Sequence, residues 1–310
     1  MSPMAFFNGK FMPVEHARIG VMTHAFNYGT ACFEGIRGNW NAEHGQIYIF
    51  RLREHYQRLF DSCEVLQIEL PYKIDELLYY TVELVRRCAY KEDTYIRPIA
   101  YKSSQRVGVR LHDLEAGFLI FATPFGPYLD IENGARCCIS SWRRIDSGMI
   151  PVRAKISGIY VNSALAKTEA HDKGYDEAIF LTHDGHVCEG SGENIFIVKD
   201  GRLATPPPED DILVGITRDT VMTLAKQELC MDTDERTILP EELFTADECF
   251  MTGTAAHLTP IIEIDDRKVG HGRVGGITKQ LQGLYFDVIF GRNRKYIDWC
   301  TPAYVLARKR

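Results

Sequence analysis

Hydrophobic positions recur along this chain with two periods, and the switches between them outline its elements. Residues 51–67 place Leu52, Tyr56, Leu59, Phe60, Cys63 and Leu66 on one helical face, and residues 74–89 repeat the pattern with Leu77, Leu78, Leu84, Val85 and Cys88. Apolar runs at 94–101, 117–123 and 135–141 predict strands. Near the start, Ala5-Phe6-Phe7 and Lys10-Phe11 flank Asn8-Gly9, a pair suited to a tight hairpin turn, and a strand so close to Met1 predicts that no leader is cleaved. In the second half a helix is predicted over 158–173, stopped by Gly174. Strands follow at 177–182 and 194–199, with turns at Asp184-Gly185 and Asp200-Gly201. Pro206-Pro207-Pro208 forces an extended stretch, a helix opens at Thr217 with Asp219 in its first turn, a strand covers 248–252, and a last helix covers 277–290. The reading is an α+β chain of two lobes: a small N-terminal α/β domain over 1–124, an interdomain loop over 125–134, and a larger C-terminal domain over 135–310.

Charge narrows the partners. The formal net charge of −6 argues against nucleic acid, and no apolar run reaches the 18 residues that a membrane-spanning helix needs. Nine cysteines would permit a metal or disulfide framework, but the count is odd and no pair has C-x-x-C spacing. Buried, reduced thiols in a cytoplasmic protein are expected instead. The ten histidines show no ligand pattern, and no metal site is predicted.

Candidate chemistry begins at Lys155. Tyr160 follows five residues on, and Glu189 sits in the Gly-rich segment Cys188-Glu189-Gly190-Ser191-Gly192-Glu193-Asn194. A lysine to form a Schiff base, a carboxylate to pair with a pyridinium nitrogen and a phenol to bond the ring oxygen are the groups that pyridoxal phosphate requires. Two segments suit an anion. In Gly215-Ile216-Thr217-Arg218-Asp219 a glycine precedes a helix, so backbone N–H groups and the helix dipole could face a phosphate, although an ordinary N-cap threonine is the plainer reading of this segment alone. Thr252-Gly253-Thr254-Ala255-Ala256 ends a strand in small residues that offer backbone donors and a hydroxyl. Arg58 falls on the helix face away from the strongest apolar stripe, where a guanidinium could hold phosphate in a bidentate grip or simply meet solvent. Tyr95 and Arg97 share one face of their strand, an arrangement suited to a carboxylate.

These segments, in this order, resemble the branched-chain amino acid aminotransferases, pyridoxal-phosphate enzymes of fold type IV. The resemblance runs from about residue 7 to about residue 290. It rests on Phe7-Asn8-Gly9, His24-Ala25-Phe26-Asn27-Tyr28-Gly29-Thr30, Phe33-Glu34-Gly35-Ile36-Arg37, Arg53-Glu54-His55-Tyr56-Gln57-Arg58-Leu59 and Tyr95-Ile96-Arg97-Pro98, and on the later segments already quoted. It implies a small α/β lobe and a larger pseudo-barrel lobe with pyridoxal 5'-phosphate between them. Lys155 would be the Schiff-base lysine and proton shuttle, Glu189 the partner of the pyridine nitrogen, and Tyr160 that of the ring oxygen. Arg58, the Ile216 and Thr217 backbone and Thr254 would hold the phosphate. Tyr28, Phe33, Arg37, Tyr95, Arg97, Phe125 and Tyr128 would line the substrate pocket, with the Thr254 and Ala255 amides on the α-carboxylate. The implied reaction passes the amino group of L-leucine, L-isoleucine or L-valine to 2-oxoglutarate in ping-pong half-reactions. The implied assembly is a cytoplasmic homodimer with shared sites, in some members a hexamer, in which the loop near Gly108 reaches the neighbouring subunit.

Two features depart from the family pattern. Phe125 stands where many members carry tryptophan, and the loop 105–112 lacks prolines and carries extra positive charge. Both bear on substrate range. The alternative within the same fold type is an (R)-selective amine or D-amino acid transaminase, as the main or a side activity, although Tyr95 and Arg97 favour the L-branched-chain group. A binding protein that kept only the fold would lack the lysine or the phosphate cradle, and this chain has both. The tail Arg308-Lys309-Arg310 carries no readable function.

Overall fold

The structure, a computed structural model, describes residues 3–304, and the basic tail at 308–310 lies outside the described residues. The chain divides into two units. The first comprises Met1–Gly126, Ala154–Gly158 and Asp287–Arg310, and the second Pro127–Arg153 and Ile159–Phe286. The first switch between units falls within the expected loop 125–134. The short stretch that carries Lys155 and the residues after 286 group with the N-terminal part, which a simple cut into two successive blocks does not anticipate.

The first unit is built on an antiparallel sheet. Its strands are β1 (Met4–Phe7), β2 (Lys10–Pro13), β3 (Ala31–Phe33), β4 (Ile36–Asn41), β5 (Gln46–Phe50), β6 (Thr94–Lys102) and β7 (Ala116–Pro124), plus a short strand at Cys300–Pro302. From one edge the order is Cys300–Pro302, β5, β4, β6, β7, β1, β2, with β3 also on β6. The hairpin turns at Asn8 and Gly9, both at positive φ, as a two-residue turn between twisted strands requires. Helices α1 (His24–Tyr28), α2 (Leu52–Val65) and α3 (Ile74–Cys88) complete the unit, with Phe6, Ile36, Ile47, Leu59, Leu77 and Ile96 fully buried in its core. On α2 the buried face is Leu52, His55, Tyr56, Leu59, Ser62 and Cys63. Phe60, at one edge of the stripe, is only partly buried, while His55 and Ser62 are buried at the other edge, where each finds partners described below.

In the second unit the strands are β8 (Ala135–Arg143), β9 (Glu177–Leu181), β10 (Val187–Gly190), β11 (Asn194–Lys199), β12 (Arg202–Thr205), β13 (Thr233–Glu235), β14 (Glu248–Gly253), β15 (His257–Ile264) and β16 (Arg267–Lys268). The order β10, β9, β8, β15, β14, β11 closes on itself, because β11 also pairs with β10, at Asn194 opposite Glu189. The result is a six-stranded ring from which β12, β13 and β16 branch. One face of the ring packs Cys137, Ile179, Val187, Ile195, Ile197 and Met251. The alternate residues Cys138, Ala178, Phe180 and Cys188 pack with Ala166 and Ala170 of α4 (Tyr160–Asp172). Burial of both faces explains why these strands read as continuous apolar runs and not as alternation. Helices α5 (Ile216–Leu229) and α6 (Pro240–Thr245) follow β12 and β13, and α7 (Gly276–Ile289) follows β16. Of the nine cysteines, eight are buried and free, while Cys230 at the end of α5 is free and exposed.

Candidate active site

In the first unit the sequence around Lys155 is threaded against α2 and β3 by its main chain. The Lys155 N–H donates to Ser62 Oγ at 3.0 Å, its carbonyl accepts from the Phe33 N–H at 3.1 Å, and Ile156 bridges Cys32. Gly158 then donates to the Gly29 carbonyl at 3.3 Å; a Cβ on Gly29 would come within 2.9 Å of Gly158 Cα, so the two glycines permit the close approach. Lys155 is half-buried, with Nζ 5.2 Å from the centre of the Phe33 ring. The guanidinium of Arg97 covers the same ring at 4.3 Å and donates to Tyr95 Oη at 2.7 Å. Tyr95 packs on Phe125 at 5.0 Å, and Arg37 lies over Phe125 at 5.2 Å while donating to Asp93 and to the Phe125 and Gly126 carbonyls. The structure therefore brings Lys155, Phe33, Arg97, Tyr95, Phe125 and Arg37 into one chain of contacts. Tyr28 stands apart from that chain, its hydroxyl accepting from the Gly108 N–H at 3.0 Å, beside His24, which bonds the Gly108 carbonyl.

Arg58 is turned inward. Its Nε and Nη2 grip the two oxygens of Glu34 at 2.6 and 2.8 Å, and His55 Nδ1 reaches the same carboxylate at 2.7 Å. Glu34 is fully buried. Burial alone would raise its carboxyl, but the Arg58 guanidinium and then His55 outweigh that and hold it well below the usual carboxylate range. Burial also pushes the His55 imidazole below its ordinary value, against the upward pull of Glu34, so His55 donates to Glu34 as a neutral ring at neutral pH. Through Ser62, whose hydroxyl donates to the Arg58 carbonyl and accepts from Lys155, this cluster is joined to the lysine's own backbone.

The second unit carries the other groups. Glu189 is the penultimate residue of β10, with one oxygen 2.9 Å from Arg144 and the other accepting from the Leu213 N–H at 3.0 Å and Asn194 Nδ2 at 3.3 Å. Tyr160 opens α4. Helix α5 starts at Ile216 with Gly215 as its N-cap and no side-chain cap, so Thr217 lies inside the first turn and the reading of it as an N-cap does not hold. Thr252 Oγ1 is buried without a hydrogen-bond partner among the described residues, directly before Gly253, Thr254 and Ala255. Tyr128 lies 5.2 Å beneath Lys167 Nζ. Nearby, Glu193 is buried and pushed up to about 8, first by burial and then by Glu177, so it is protonated at neutral pH.

These groups fit pyridoxal phosphate. Each unit carries groups of the kind its aldehyde, ring nitrogen and phosphate need: a half-buried lysine in the first, and in the second a buried carboxylate with charged and amide donors already set on it and a helix start whose N-cap is a glycine. Among the described residues no group of three or more His, Cys, Asp and Glu is placed to hold a metal ion, and no helix is long and apolar enough to cross a membrane. The family model for class IV amino-transferases matches residues 31–264. A probable branched-chain-amino-acid aminotransferase of Aquifex aeolicus is 52% identical over 97% of this chain and 96% of its own length. The chain belongs to the branched-chain group of class IV aminotransferases. Among solved structures, the branched-chain aminotransferase of Thermoproteus uzoniensis with norvaline is 46% identical, with a TM-score of 0.94, over 98% of this chain and all of that one. A branched-chain amino acid aminotransferase from T.th., complexed with N-(5'-phosphopyridoxyl)-L-glutamate, is 41% identical, with a TM-score of 0.93, over 98% and 99%.

As a class IV aminotransferase, the chain has the fold type IV architecture and works with pyridoxal 5'-phosphate. Sequence reasoning gave no role to Glu34, His55, Arg144 and Asn194. The first two lie within quoted motifs, and their signal is weak but present: a single acid in the apolar run Ala31-Cys32-Phe33-Glu34-Gly35-Ile36, and a histidine at the position of an inward-facing α2 residue. Arg144 had no signal, because only the fold brings residue 144 to residue 189.

Proposed function

We propose that this aminotransferase moves the amino group of L-leucine, L-isoleucine and L-valine to 2-oxoglutarate, releasing the branched-chain 2-oxo acids and L-glutamate in two half-reactions. What supports this reading above all is the cluster of Lys155, Phe33, Arg97 and Tyr95. It sets an amine beside an aromatic wall suited to an aliphatic chain and a guanidinium suited to the acidic chain of glutamate. The related structure that holds a phosphopyridoxyl adduct of L-glutamate points to the same acidic partner. When bound, pyridoxal phosphate accepts the electron pair released as the Cα–H bond breaks.

The proposed roles follow from chemistry. Lys155 binds the cofactor's aldehyde and afterwards carries the proton from Cα, as a positioned amine can. Glu189 keeps the pyridine nitrogen protonated, and Tyr160 bonds the ring oxygen. The α5 start at Ile216 and Thr217, with Thr254 and Arg58, holds the phosphate; the Arg58 guanidinium is already oriented by Glu34 for that task. Thr254 and Ala255 amides take the α-carboxylate, and Tyr28, Arg37, Phe125 and Tyr128 shape the pocket. Aromatic walls discriminate among aliphatic chains by only about 1–3 kcal/mol per methylene, which matches acceptance of all three amino acids. We place the enzyme in the cytoplasm as a homodimer. The exposed apolar side chains of Val21, Phe26, Val107 and Val109 favour assembly.

The test is the visible spectrum of the purified protein before and after L-leucine, without a 2-oxo acid, and again after 2-oxoglutarate. Loss of the bound-cofactor band on the first addition and its return on the second are expected; a band that L-leucine leaves unchanged would sink the proposal. A second reading, turnover of (R)-primary amines, is motivated by Phe125, whose ring packs on Tyr95 where many relatives carry the larger indole. Complete inertness toward (R)-1-phenylethylamine would end it. Gly35 offers a sharper probe of the acidic subsite. A Cβ there would stand 2.4 Å from Tyr95 Oη, forcing the phenol off Arg97. Gly35→Ala is expected to raise KM for 2-oxoglutarate about tenfold more than KM for L-leucine, as loss of one charge-assisted hydrogen bond should. Equal changes in both would separate Tyr95 from the acidic partner.

A further inference from the structure

We infer that Asn194 is a positioning residue that sets the distance between the carboxylate meant for the pyridine nitrogen and the helix start meant for the phosphate. The inference rests on the pyridoxal-phosphate reading of Glu189 and of the α5 start, and it adds a residue that neither the family pattern nor the roles above assign.

Asn194 stands at the seam of the six-stranded ring. It is the residue of β11 that faces Glu189 of β10 and also Thr252 of β14, so a single backbone position touches the carboxylate strand and the strand leading into Gly253 and Thr254. Its side chain is buried and reaches a third segment. Nδ2 donates to the Leu213 carbonyl at 2.9 Å and to Glu189 Oε2 at 3.3 Å. Both neighbours are acceptors, which fixes the amide's orientation: the flipped amide would set its oxygen against a carboxylate and a carbonyl. Its Oδ1 then points at Gly215. A Cβ on Gly215 would lie 2.1 Å from that oxygen, a separation no side chain tolerates. Gly215 has φ −76°, which any residue can adopt, so backbone conformation does not demand glycine here; the Asn194 amide does.

The amide is therefore a spacer of fixed length. One end grips Glu189, the other meets the backbone just before the N–H groups of α5, and the Leu213 carbonyl holds it between them. Pyridoxal phosphate is a rigid ring with its nitrogen and phosphate on separate edges, so an error in that spacing would weaken one of the two contacts. A residue that only filled space would affect folding without affecting the bound cofactor.

The experiment measures equilibrium binding of pyridoxal phosphate to the full chain, the pH midpoint of the bound cofactor's visible absorbance, and the thermal midpoint without cofactor. Asn194→Ala is expected to weaken binding about tenfold, and Gly215→Ala about a hundredfold, the scale of one or two hydrogen bonds to charged groups. Combining the two should bind more tightly than Gly215→Ala alone, because the oxygen that the new Cβ strikes is gone. Asn194→Asp keeps the shape but adds negative charge beside Glu189, and should raise the absorbance midpoint by about one pH unit. If Asn194→Ala does not fold, Asn194→Ser replaces it in the affinity measurement. Affinities within twofold of the unsubstituted chain, losses that simply add in the double variant, or a fall in thermal midpoint alone would each overturn the inference. Failure of the unsubstituted chain to bind pyridoxal phosphate is a separate result and overturns the underlying reading as well.

Discussion

Lys155→Ala is expected to lower kcat by about 10⁴-fold or more, with the L-leucine-dependent change in the visible spectrum abolished. The lysine is proposed both to hold the cofactor's aldehyde and to move the Cα proton. Loss of a positioned proton carrier alone costs about 10²–10⁴-fold, and loss of the covalent tether adds to it. The fold should be indifferent. The main-chain bonds of residue 155, its N–H to Ser62 and its carbonyl from the Phe33 N–H, are preserved by alanine. An unchanged thermal midpoint of the cofactor-free chain is thus part of the expected result. A variant that keeps activity within tenfold of the original would mean that the proton is carried by another group.

The largest effect on stability is expected at Glu34. Glu34→Gln removes the charge that two guanidinium nitrogens and His55 share, while the Arg58 side chain remains only 16% exposed. Breaking one partner of a buried ion pair costs about 3–5 kcal/mol, so the thermal midpoint should fall by several degrees. The acid side gives a second signature. Glu34 is held below its unfolded value, so its contribution is fully present above about pH 4.3 and is lost as pH falls from there toward the lower folded value. The unsubstituted chain should therefore show an acid-side decline in stability that Glu34→Gln has in smaller measure. Identical acid limbs in the two proteins would contradict the account. Activity should fall too, because the same carboxylate orients Arg58.

Much of this arrangement was legible in the sequence, and the parts that were not share a cause. Helix α3, strands β6 and β11 and the Asn8-Gly9 turn follow from period and turn chemistry, which act over a few residues. Lys155 and Glu189 were picked out by residue type and local wording. Glu34, His55 and Ser62 were not, since the value of a buried polar residue depends on a partner distant in sequence: 21 positions separate Glu34 from His55, and 93 separate Ser62 from Lys155. The outward reading of Arg58 failed for the same reason, because helical periodicity cannot register an acid waiting on the neighbouring strand. The grouping of residues 154–158 with the first unit is likewise a product of long-range pairing, with Cys32, Phe33 and Gly29.

The closed ring of the second unit also has a consequence for the protein's behaviour at high concentration. Closure satisfies both sides of six strands, and the strands that branch from it end in short segments rich in charge: Thr233–Glu235 carries Asp234 and Glu235, and Arg267–Lys268 is wholly basic. An unpaired strand edge is where chains add to one another and grow fibrils, and growth requires a long, flat, uncharged template. Here a second molecule approaching either branch meets two or three residues of exposed backbone flanked by like charges. The ring-forming sheet is thereby guarded against edge-to-edge aggregation while it remains folded, and resistance to fibre growth should end only where the ring itself opens.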